Sequence, residues 1–462
     1  MPILSAVLSP ARRAPHIRVF LLVVLLFGGA VSIARLDAAI RPPRLAYQIT
    51  TLPNGLTVVL SEDHSTPIVH LQLWYHVGSK DERPGRTGFA HLFEHMMFKG
   101  SKNVESEEHA SRIAGVGGQS NAYTTDDTTV FWETVPSQYL PLVLWLEADR
   151  MAALRIDRAT LDSEREVVKE ERRMRFDNQP YGRLAEIIYD AAFTVHPYKH
   201  VTIGSMADLD AASVDDVREF YDTYYVPGNA TLVLVGDFDS SQALELISRY
   251  LGRVPKSSRP VPRDYPKEPP SEHERHLTTT ENWPLPAVVV VYHITYDGHP
   301  DSYPLHIASK ILSDGQSSRI YQKLVYERGL ALTAFGGGHI VEDPNLFFAV
   351  AIVQPGHEPQ EAEKALVEEL DRLRTELVSE HELQRAKNQF ARDYIVARES
   401  DSEKAAQLAH AVVIHRDIRT ADGEFDIFTN ITRADVQRVA RTYFTPENRL
   451  VVTILPKAVA SR

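Results

Sequence analysis

Alternating apolar and polar residues form several short runs in the first third of the chain. Such a pattern predicts strands of a sheet that is buried on one face. The runs lie at 47–52, 56–60, 69–75, 121–125 and 128–132. The first two flank Asn54-Gly55, and an Asn-Gly pair between such runs predicts a hairpin. Beyond residue 137 apolar residues recur at helical spacing, which predicts helices at 141–154, 157–172, 214–225 and 241–251.

The second half of the chain repeats the first at an offset of 219 residues. A Tyr-aromatic pair followed by Pro-Gly-Asn or Pro-Glu-Asn precedes the strand runs at 230–235 and 450–454. The same offset aligns the run at 287–292 with 68–73. We therefore predict an α+β fold of two similar α/β-sandwich domains, each an antiparallel or mixed sheet packed with helices. The capping box Ser379-x-x-Glu382 predicts the start of a long helix in the second copy.

Composition divides the chain into four predicted segments. Residues 1–39 form a signal segment, 46–254 a first domain and 273–458 a second domain. Residues 255–272 are rich in proline and charge, which is incompatible with a helix or a central strand and indicates a linker.

Overall composition limits the possible functions. The chain has 462 residues, 43% of them hydrophobic, and a net charge of −12, which is ordinary for a globular protein. No basic run stands out, so nucleic-acid binding is not expected. Because there is no cysteine, disulfides and thiolate metal sites are excluded, and any zinc must use histidine and carboxylate ligands.

The N-terminal segment resembles a secretory signal. Three arginines (Arg12, Arg13 and Arg18) precede an apolar run at 19–34, and small residues follow near Ala38 and Ala39. The run is shorter than the roughly 20 residues that a membrane-spanning helix needs. We predict a periplasmic or secreted protein, with an uncleaved anchor in the inner membrane as the alternative.

The clearest chemical motif is His91-x-x-Glu94-His95. In a helix the three side chains project from one face, since they lie at positions i, i+3 and i+4. Two imidazoles at that spacing can bind one divalent metal ion, and the carboxylate lies beside its open position. The apolar residues around the motif predict a buried helix, where charged groups need a partner or a metal.

A third protein ligand is expected on the acidic helix near residues 164–171. Four glutamates are candidates: Glu164, Glu166, Glu170 and Glu171. Residues seven apart return to nearly the same face of a helix, which favours the pair Glu164 and Glu171 without separating the two.

These motifs together resemble the insulinase-like (pitrilysin) family of zinc metallopeptidases, which carry the inverted His-x-x-Glu-His motif. The segment from Glu164 to Glu171 is similar to the second motif of that family. Further similarities are Asn54-Gly55-Leu56, Gly118-x-x-Asn121-Ala122-Tyr123-Thr124 and His196-Pro197-Tyr198. The resemblance implies one Zn²⁺ per chain, bound in the N-terminal copy.

The same resemblance assigns roles to individual residues. It implies that His91, His95 and Glu171 are the zinc ligands and that Glu94 is the general base for peptide hydrolysis. Glu164 is implied as a carboxylate that orients a ligand or balances the charge of the site. The Asn121-Ala122-Tyr123 segment is similar to the edge strand on which the family lays its peptide substrates.

One departure from the family concerns the second domain, which in self-sufficient members supplies an Arg and, seven residues later, a Tyr. Here Val325 and Leu332 stand at those positions. We therefore expect a heterodimer in which a homologous subunit without zinc supplies the Arg and the Tyr. At the positions equivalent to the metal motif the second copy has Lys310, Ser313 and Asp314, so no metal set is expected there.

The leading prediction is a zinc endopeptidase that acts on peptides or unfolded segments. Two alternatives stay open: a non-catalytic subunit for peptide binding or assembly, and a processing peptidase with one dedicated substrate. Manganese or cobalt could replace zinc in a site of two imidazoles and a carboxylate. His196 and His200 are expected to be loop residues, since Pro197 interrupts the helix that their spacing would need.

Overall fold

In the computed structural model of the protein, residues 41–457 are described, so the predicted signal segment lies outside the described residues. Both halves of the described chain belong to one compact unit that begins at Arg44. Within residues 41–457 no helix is both long enough and apolar enough to cross a membrane.

The first half is built on a six-stranded sheet with the strand order β1-β2-β6-β3-β5-β4. Only β2 and β6 run parallel, and the other neighbours are antiparallel. The strands are β1 Gln48–Thr51, β2 Thr57–Glu62, β3 Ile68–Tyr75, β4 Gln119–Thr124, β5 Thr129–Pro136 and β6 Ala230–Gly236. The helices are α1 Phe89–Met96, α2 Glu108–Gly115, α3 Leu140–Ala153, α4 Arg158–Arg172, α5 Leu184–Ala192, α6 Met206–Asp210, α7 Val214–Tyr224 and α8 Ser240–Tyr250.

The second half has a five-stranded sheet with the order β7-β11-β8-β10-β9. Again one pair, β7 and β11, is parallel and the rest are antiparallel. The strands are β7 Arg275–Glu281, β8 Ala287–His293, β9 Ala331–Gly338, β10 Leu346–Val353 and β11 Arg449–Pro456. The helices are α9 Ser302–Ser313, α10 Pro359–Thr375, α11 Glu380–Val396, α12 Asp401–Val413, α13 Thr420–Asn430 and α14 Arg433–Tyr443, with a short helical segment at Arg319–Tyr321.

The two sheets confirm the predicted duplication. The second strand order equals the first without β1, and the parallel pair occupies the same place in both. When 219 is added to their residue numbers, the bounds of α7 and β6 match those of α14 and β11 to within one residue. The helix predicted by the Ser379 capping box begins at Glu380, where the Ser379 side chain accepts a hydrogen bond from the Glu382 amide.

One feature of the packing was not predicted: one helix of each half packs on the sheet of the other half. Helix α12 of the second half packs on β3 and β6, on the face of the first sheet opposite to its own helices. Helix α5 of the first half packs on β8 in the same way, through Ile188 and Ala192. Adding 219 to the residue numbers of α5 gives 403–411, which lies inside α12. The two helices that pack on the opposite half are therefore equivalent in the duplicated fold.

The segment 255–274 forms neither helix nor strand in the structure. Polar contacts with the first half hold its central part, residues 263–268. The Tyr265 hydroxyl donates a hydrogen bond of 2.6 Å to Asp81, and the Arg263 guanidinium lies 3.0 Å from the same carboxylate. Glu268 accepts hydrogen bonds from the amides of Val195 and His196 at 2.9 and 3.0 Å.

Candidate metal centre

Helix α1 carries the His-x-x-Glu-His motif, and both backbone sterics and hydrogen bonds fix the N-terminus of this helix. Gly88 precedes the helix with a φ of 87°, and a Cβ there would lie 2.7 Å from the carbonyl oxygen of Ile203, so only glycine fits. The buried carboxylate of Glu82 accepts hydrogen bonds from the amides of Gly88 and Ala90 at 2.8 and 2.7 Å. These bonds satisfy amides that have no partner inside the helix.

The structure brings His91, His95 and Glu171 together. One ligand atom from each residue lies within 4.8 Å of the other two. Glu171 Oε2 is 3.3 Å from His95 Nε2 and 3.7 Å from His91 Nε2. A tetrahedral ion with bonds of about 2.0–2.1 Å separates its ligand atoms by roughly 3.4 Å. The three residues therefore have the donor types and the spacing that a zinc ion requires.

Helical periodicity left Glu164 and Glu171 open as candidates, and the packing of α4 against α1 brings Glu171 to the two imidazoles. Glu171 faces both imidazoles, and its second oxygen lies 2.7 Å from the guanidinium of Arg175. Glu166 and Glu170 point away from the centre and pair with Lys169 and Arg173 on the exposed side of the helix.

Glu164 lies behind the centre instead of in it. Its side chain is only 2% exposed and lies 3.7 Å from Nδ1 of His95 and 3.1 Å from Nζ of Lys99. Burial opposes the charge on this carboxylate, but the contacts with His95 and Lys99 lower the pKa of Glu164 below its ordinary value. Glu164 is therefore placed to orient His95 and to stabilise positive charge beside it.

The two histidines differ in their tendency to take up a proton. Burial, together with the charges of His95 and Arg175, lowers the pKa of His91 to about 3. Burial also acts on His95, but the hydrogen bond and charge of Glu164, with the charges of Glu94 and Glu171, raise the pKa of His95 above its ordinary value. Without a metal ion a proton on His95 partly neutralises three surrounding carboxylates, which is the task that a cation would perform.

Glu94 lies on the same face of α1 and is held by β4. Thr124 Oγ1 donates a hydrogen bond of 2.6 Å to Glu94 Oε2. Burial raises the pKa of Glu94, although this hydrogen bond and the nearby His95 act in the opposite direction. A carboxylate with a raised pKa is suited to accept a proton and release it again near neutral pH.

A cavity of about 690 Å³ opens over these side chains. Residues Asn121, Ala122 and Tyr123 of β4 line one wall of it. β4 is the last strand of the six-stranded sheet, so among the described strands it pairs with β5 alone. An extended peptide could add to the other edge of β4 through main-chain hydrogen bonds.

Other predicted residues lie elsewhere in the structure. His196 is buried beside Tyr198, and its Nδ1 accepts the Tyr198 amide at 3.1 Å. Of the equivalents in the second copy, Lys310 pairs with Asp314 and Asp393, and the Ser313 hydroxyl donates to main-chain carbonyls. These contacts are structural ones.

Three residues of the centre were missed by sequence reasoning: Lys99, Thr124 and Arg175. Lys99 and Arg175 each lie four residues beyond a predicted ligand, His95 and Glu171, and this i,i+4 spacing was the available signal. For Thr124 the signal was strand alternation, which turns it to the opposite face from Tyr123. The i,i+4 spacing identifies the contact of Arg175 with Glu171. Neither signal shows that Lys99 meets Glu164 or that Thr124 meets Glu94.

Three features define the class of the protein: the duplicated α+β fold, the helix with the inverted His-x-x-Glu-His motif, and the distant glutamate. A protein with these features is a homologue of the zinc metallopeptidases. The comparisons agree with this class. Residues 57–205 match the family described as Insulinase (Peptidase family M16), and residues 211–390 match the one described as Peptidase M16 inactive domain. The chain belongs to the insulinase family, peptidase family M16.

Three relatives show how far the similarity extends. The zinc protease PqqE of Helicobacter pylori is 30% identical over 413 residues, covering 89% of this chain and 93% of that protein. The crystal structure of a protease from Helicobacter pylori has a TM-score of 0.86 at 30% identity, covering 89% of this chain and 100% of that one. The structure of the periplasmic protease PqqL from Escherichia coli has a TM-score of 0.72 at 20% identity, covering 90% of this chain and 48% of that one.

Proposed function

We propose that the protein is a zinc-dependent endopeptidase that hydrolyses peptides or unfolded protein segments. The observation that carries the proposal is the convergence of His91, His95 and Glu171 from two helices, with Glu94 beside them in an open cavity. Membership in a family with named zinc proteases supports the same activity. The donor set fits one Zn²⁺ held by two imidazoles and one carboxylate.

Bound zinc would polarise the scissile carbonyl and lower the pKa of a water molecule beside it. Glu94 accepts the proton of the attacking water and later delivers it to the leaving amine. The hydrogen bond from Thr124 fixes the direction of the Glu94 carboxylate. Glu164, which Lys99 holds, keeps the imidazole of His95 in place.

The substrate is proposed to bind as an extra strand on β4, along Asn121, Ala122 and Tyr123. Main-chain pairing depends little on side chains, so we expect broad sequence tolerance. Methylation of single backbone nitrogens in a peptide substrate tests this arrangement. At paired positions the loss of one hydrogen bond should lower kcat/KM roughly two- to tenfold.

The substitution Glu94→Gln is the sharpest test of the proposed activity. It removes the proton acceptor but none of the proposed ligands, so zinc content should stay at the wild-type level. Peptide hydrolysis should fall about 10²- to 10⁴-fold, which is the usual contribution of a general base. Zinc analysis and a fluorogenic peptide assay on the same samples provide the readout. Hydrolysis that survives the substitution would contradict the assignment of Glu94.

The other candidate class is a subunit that binds peptides without cleaving them. The described residues retain the complete ligand set and Glu94, which supports catalysis instead. The match to an inactive domain concerns residues 211–390, outside the metal centre. Wild-type protein that contains zinc but leaves all unstructured peptides intact, alone and with partners, would favour the binding subunit.

We further propose that the chain works with a second, homologous subunit that has no zinc and supplies an Arg and a Tyr. The support is the pair Val325 and Leu332, neither of which can donate a hydrogen bond to a reacting oxygen. The match covers 90% of this chain but only 48% of PqqL, and the first half of PqqL by itself matches this chain, so in PqqL the same fold is joined to further chain. Full peptidase activity of the purified chain alone would refute this proposal, and co-purification with mass identification would reveal the partner.

For localisation we propose export to the periplasm or the medium, on the basis of the signal-like segment at 1–39. N-terminal sequencing of the protein isolated from its native cells tests this proposal. Cleavage close to Ala38 or Ala39 is the expected result. An intact N-terminus in the membrane fraction would favour the anchored alternative.

A further inference from the structure

A second cluster of potential metal ligands lies in the other half of the molecule. It consists of Asp297, His410 and His415, whose ligand atoms all lie within 4.8 Å of one another. Asp297 directs one oxygen to each ring: Oδ2 is 3.0 Å from His410 Nε2, and Oδ1 is 3.3 Å from His415 Nε2. The cluster joins the loop after β8, the C-terminal turn of α12 and the turn that follows it.

The tautomer of His415 can be derived from its neighbours. The Thr420 hydroxyl donates its hydrogen to the carbonyl oxygen of Asp417 at 2.8 Å, so its oxygen accepts from His415 Nδ1 at 2.9 Å. In a neutral ring this leaves Nε2 with a lone pair that faces the Asp297 carboxylate. The side chain is 4% exposed, and Nε2 has no hydrogen-bond partner among the described residues.

Two electron-rich atoms at 3.3 Å without a hydrogen bond between them repel each other unless a cation or a proton lies between them. Separations of 3.0 and 3.3 Å are close to the roughly 3.4 Å that divides two ligand atoms of a tetrahedral ion. A histidine that binds metal through one nitrogen commonly donates the other N–H to an oxygen, as His415 does to Thr420.

The geometry also repeats that of the first centre. The rings of His410 and His415 are 4.9 Å apart at an interplanar angle of 76°, and those of His91 and His95 are 4.8 Å apart at 75°. In both places the imidazoles converge on one carboxylate. The second cluster thus has two nitrogen donors and one oxygen donor, the same set as the first.

The surroundings favour a divalent cation. Glu424 adds a second carboxylate, 3.9 Å from His415 Nδ1. Arg416, which follows His415 in the sequence, pairs with Glu342. Asp297 and His415 also line a cavity of about 870 Å³, which provides an entry path.

We propose that Asp297, His410 and His415 bind a second divalent transition-metal ion, with zinc as the expected species, and that this ion is structural. The ion would link α12, which packs on the first sheet, to the loop after β8 in the second half. The chain would then hold two ions, one more than the motif in α1 predicts. The proposal is independent of the peptidase activity.

Metal analysis of the purified full-length chain tests the proposal. After equilibration with Zn²⁺ and gel filtration, the wild type should carry two zinc ions per chain. His410→Ala should lose one of them, because a partly exposed helical position tolerates alanine and two ligands remain too few for tight binding. His95→Ala should lose the other, and the double variant should lose both. His381→Ala, which removes an exposed histidine from α11, is the matched control and should keep two.

A wild type with one ion that His410→Ala leaves in place would overturn the proposal, because the cluster would then be a protonated ion-pair network. Two ions that both survive His410→Ala would overturn it as well. If His410→Ala fails to fold by circular dichroism, Asp297→Asn serves instead, since it keeps the side-chain shape and removes the charge. Anomalous scattering at the zinc edge from wild-type crystals gives a second readout, with a peak expected between Asp297 and His415.

Discussion

Glu164 and Glu171 lie two turns apart on α4, and their neighbours determine what each can do. Glu171 faces the Nε2 atoms of both histidines in an open cavity. Glu164 lies between His95 Nδ1 and Lys99, and its side chain is only 2% exposed. A buried carboxylate with a lysine partner is stable as an anion and holds the imidazole that it contacts.

Glu164→Gln should therefore weaken zinc binding without abolishing it. The three proposed ligands remain, but the orientation of His95 and the charge beside Lys99 change, so a 10- to 100-fold loss of affinity is expected. Competition with a chromophoric chelator measures the affinity. Glu166→Gln, on the exposed side of the same helix, is the control and should match the wild type. A wild-type affinity for Glu164→Gln would contradict its supporting role.

At the scale of elements, the exchanged helices explain why strands of both sheets are apolar on both faces. Val59, Trp74 and Val233 are buried on the face of the first sheet that α12 covers. The residues that α12 contributes are mostly small, including Ala405 and Ala409, which allows the helix to pack close to the strands. Each sheet thus has helices on both faces, and neither half can bury its sheet without the other.

Leu408→Ala tests this interdependence. Leu408 is fully buried in α12 against the first sheet, and its truncation should cost about 2–5 kcal/mol of unfolding free energy. Amide protection should fall in β3 and β6 of the first half, although the substitution lies in the second. Urea unfolding and hydrogen exchange provide the measurements.

Val396→Ala, at an exposed position at the end of α11, serves as the control for Leu408→Ala and should change the stability by less than about 0.5 kcal/mol. Loss of amide protection confined to the second half in Leu408→Ala would contradict the proposed coupling.

At the scale of the whole molecule, a buried ionic network connects the two halves. Lys80 of the first half is 1% exposed and lies 2.6 Å from Glu342 and 3.0 Å from Asp343 of the second, with Asp127 at 2.8 Å. His76 approaches the same Glu342 oxygen at 2.7 Å. Several carboxylates around one buried ammonium make the relative position of the halves sensitive to loss of any one charge.

The network predicts a loss of stability in acid. Burial acts against the charge of Glu342, but His76 and Lys80 lower the pKa of this carboxylate to about 2, below the ordinary value of 4.5. A lowered pKa stabilises the fold above pH 4.5, and the contribution, roughly 3 kcal/mol, is lost as the pH falls towards 2.

Glu342→Gln should remove that stability at pH 7 and flatten the decline between pH 4.5 and 2. Denaturant unfolding at a series of pH values checks both effects. Glu380→Gln, at a residue with an 80% exposed side chain, is the control and should follow the wild-type curve. An unchanged acid slope in Glu342→Gln would show that the network does not stabilise the fold.

Much of the site was predictable because it depends on local geometry. Helical spacing alone placed His91, Glu94 and His95 on one face, and a seven-residue separation placed Glu164 and Glu171 together. The family resemblance then favoured Glu171 as the ligand. The roles of Thr124 and Lys99 were not predictable in the same way, because each depends on where one element ends relative to another.

The sequence by itself determined the duplicated α+β architecture and the motif in α1, since periodicity, capping and repeats act over a few turns or recur at a constant offset. Only the tertiary structure decided which glutamate faces the histidines and which half covers each sheet. It alone brings Asp297 to His410 and His415, more than a hundred residues later in the chain. Such contacts arise from the packing of whole elements, and no local pattern of residues records them.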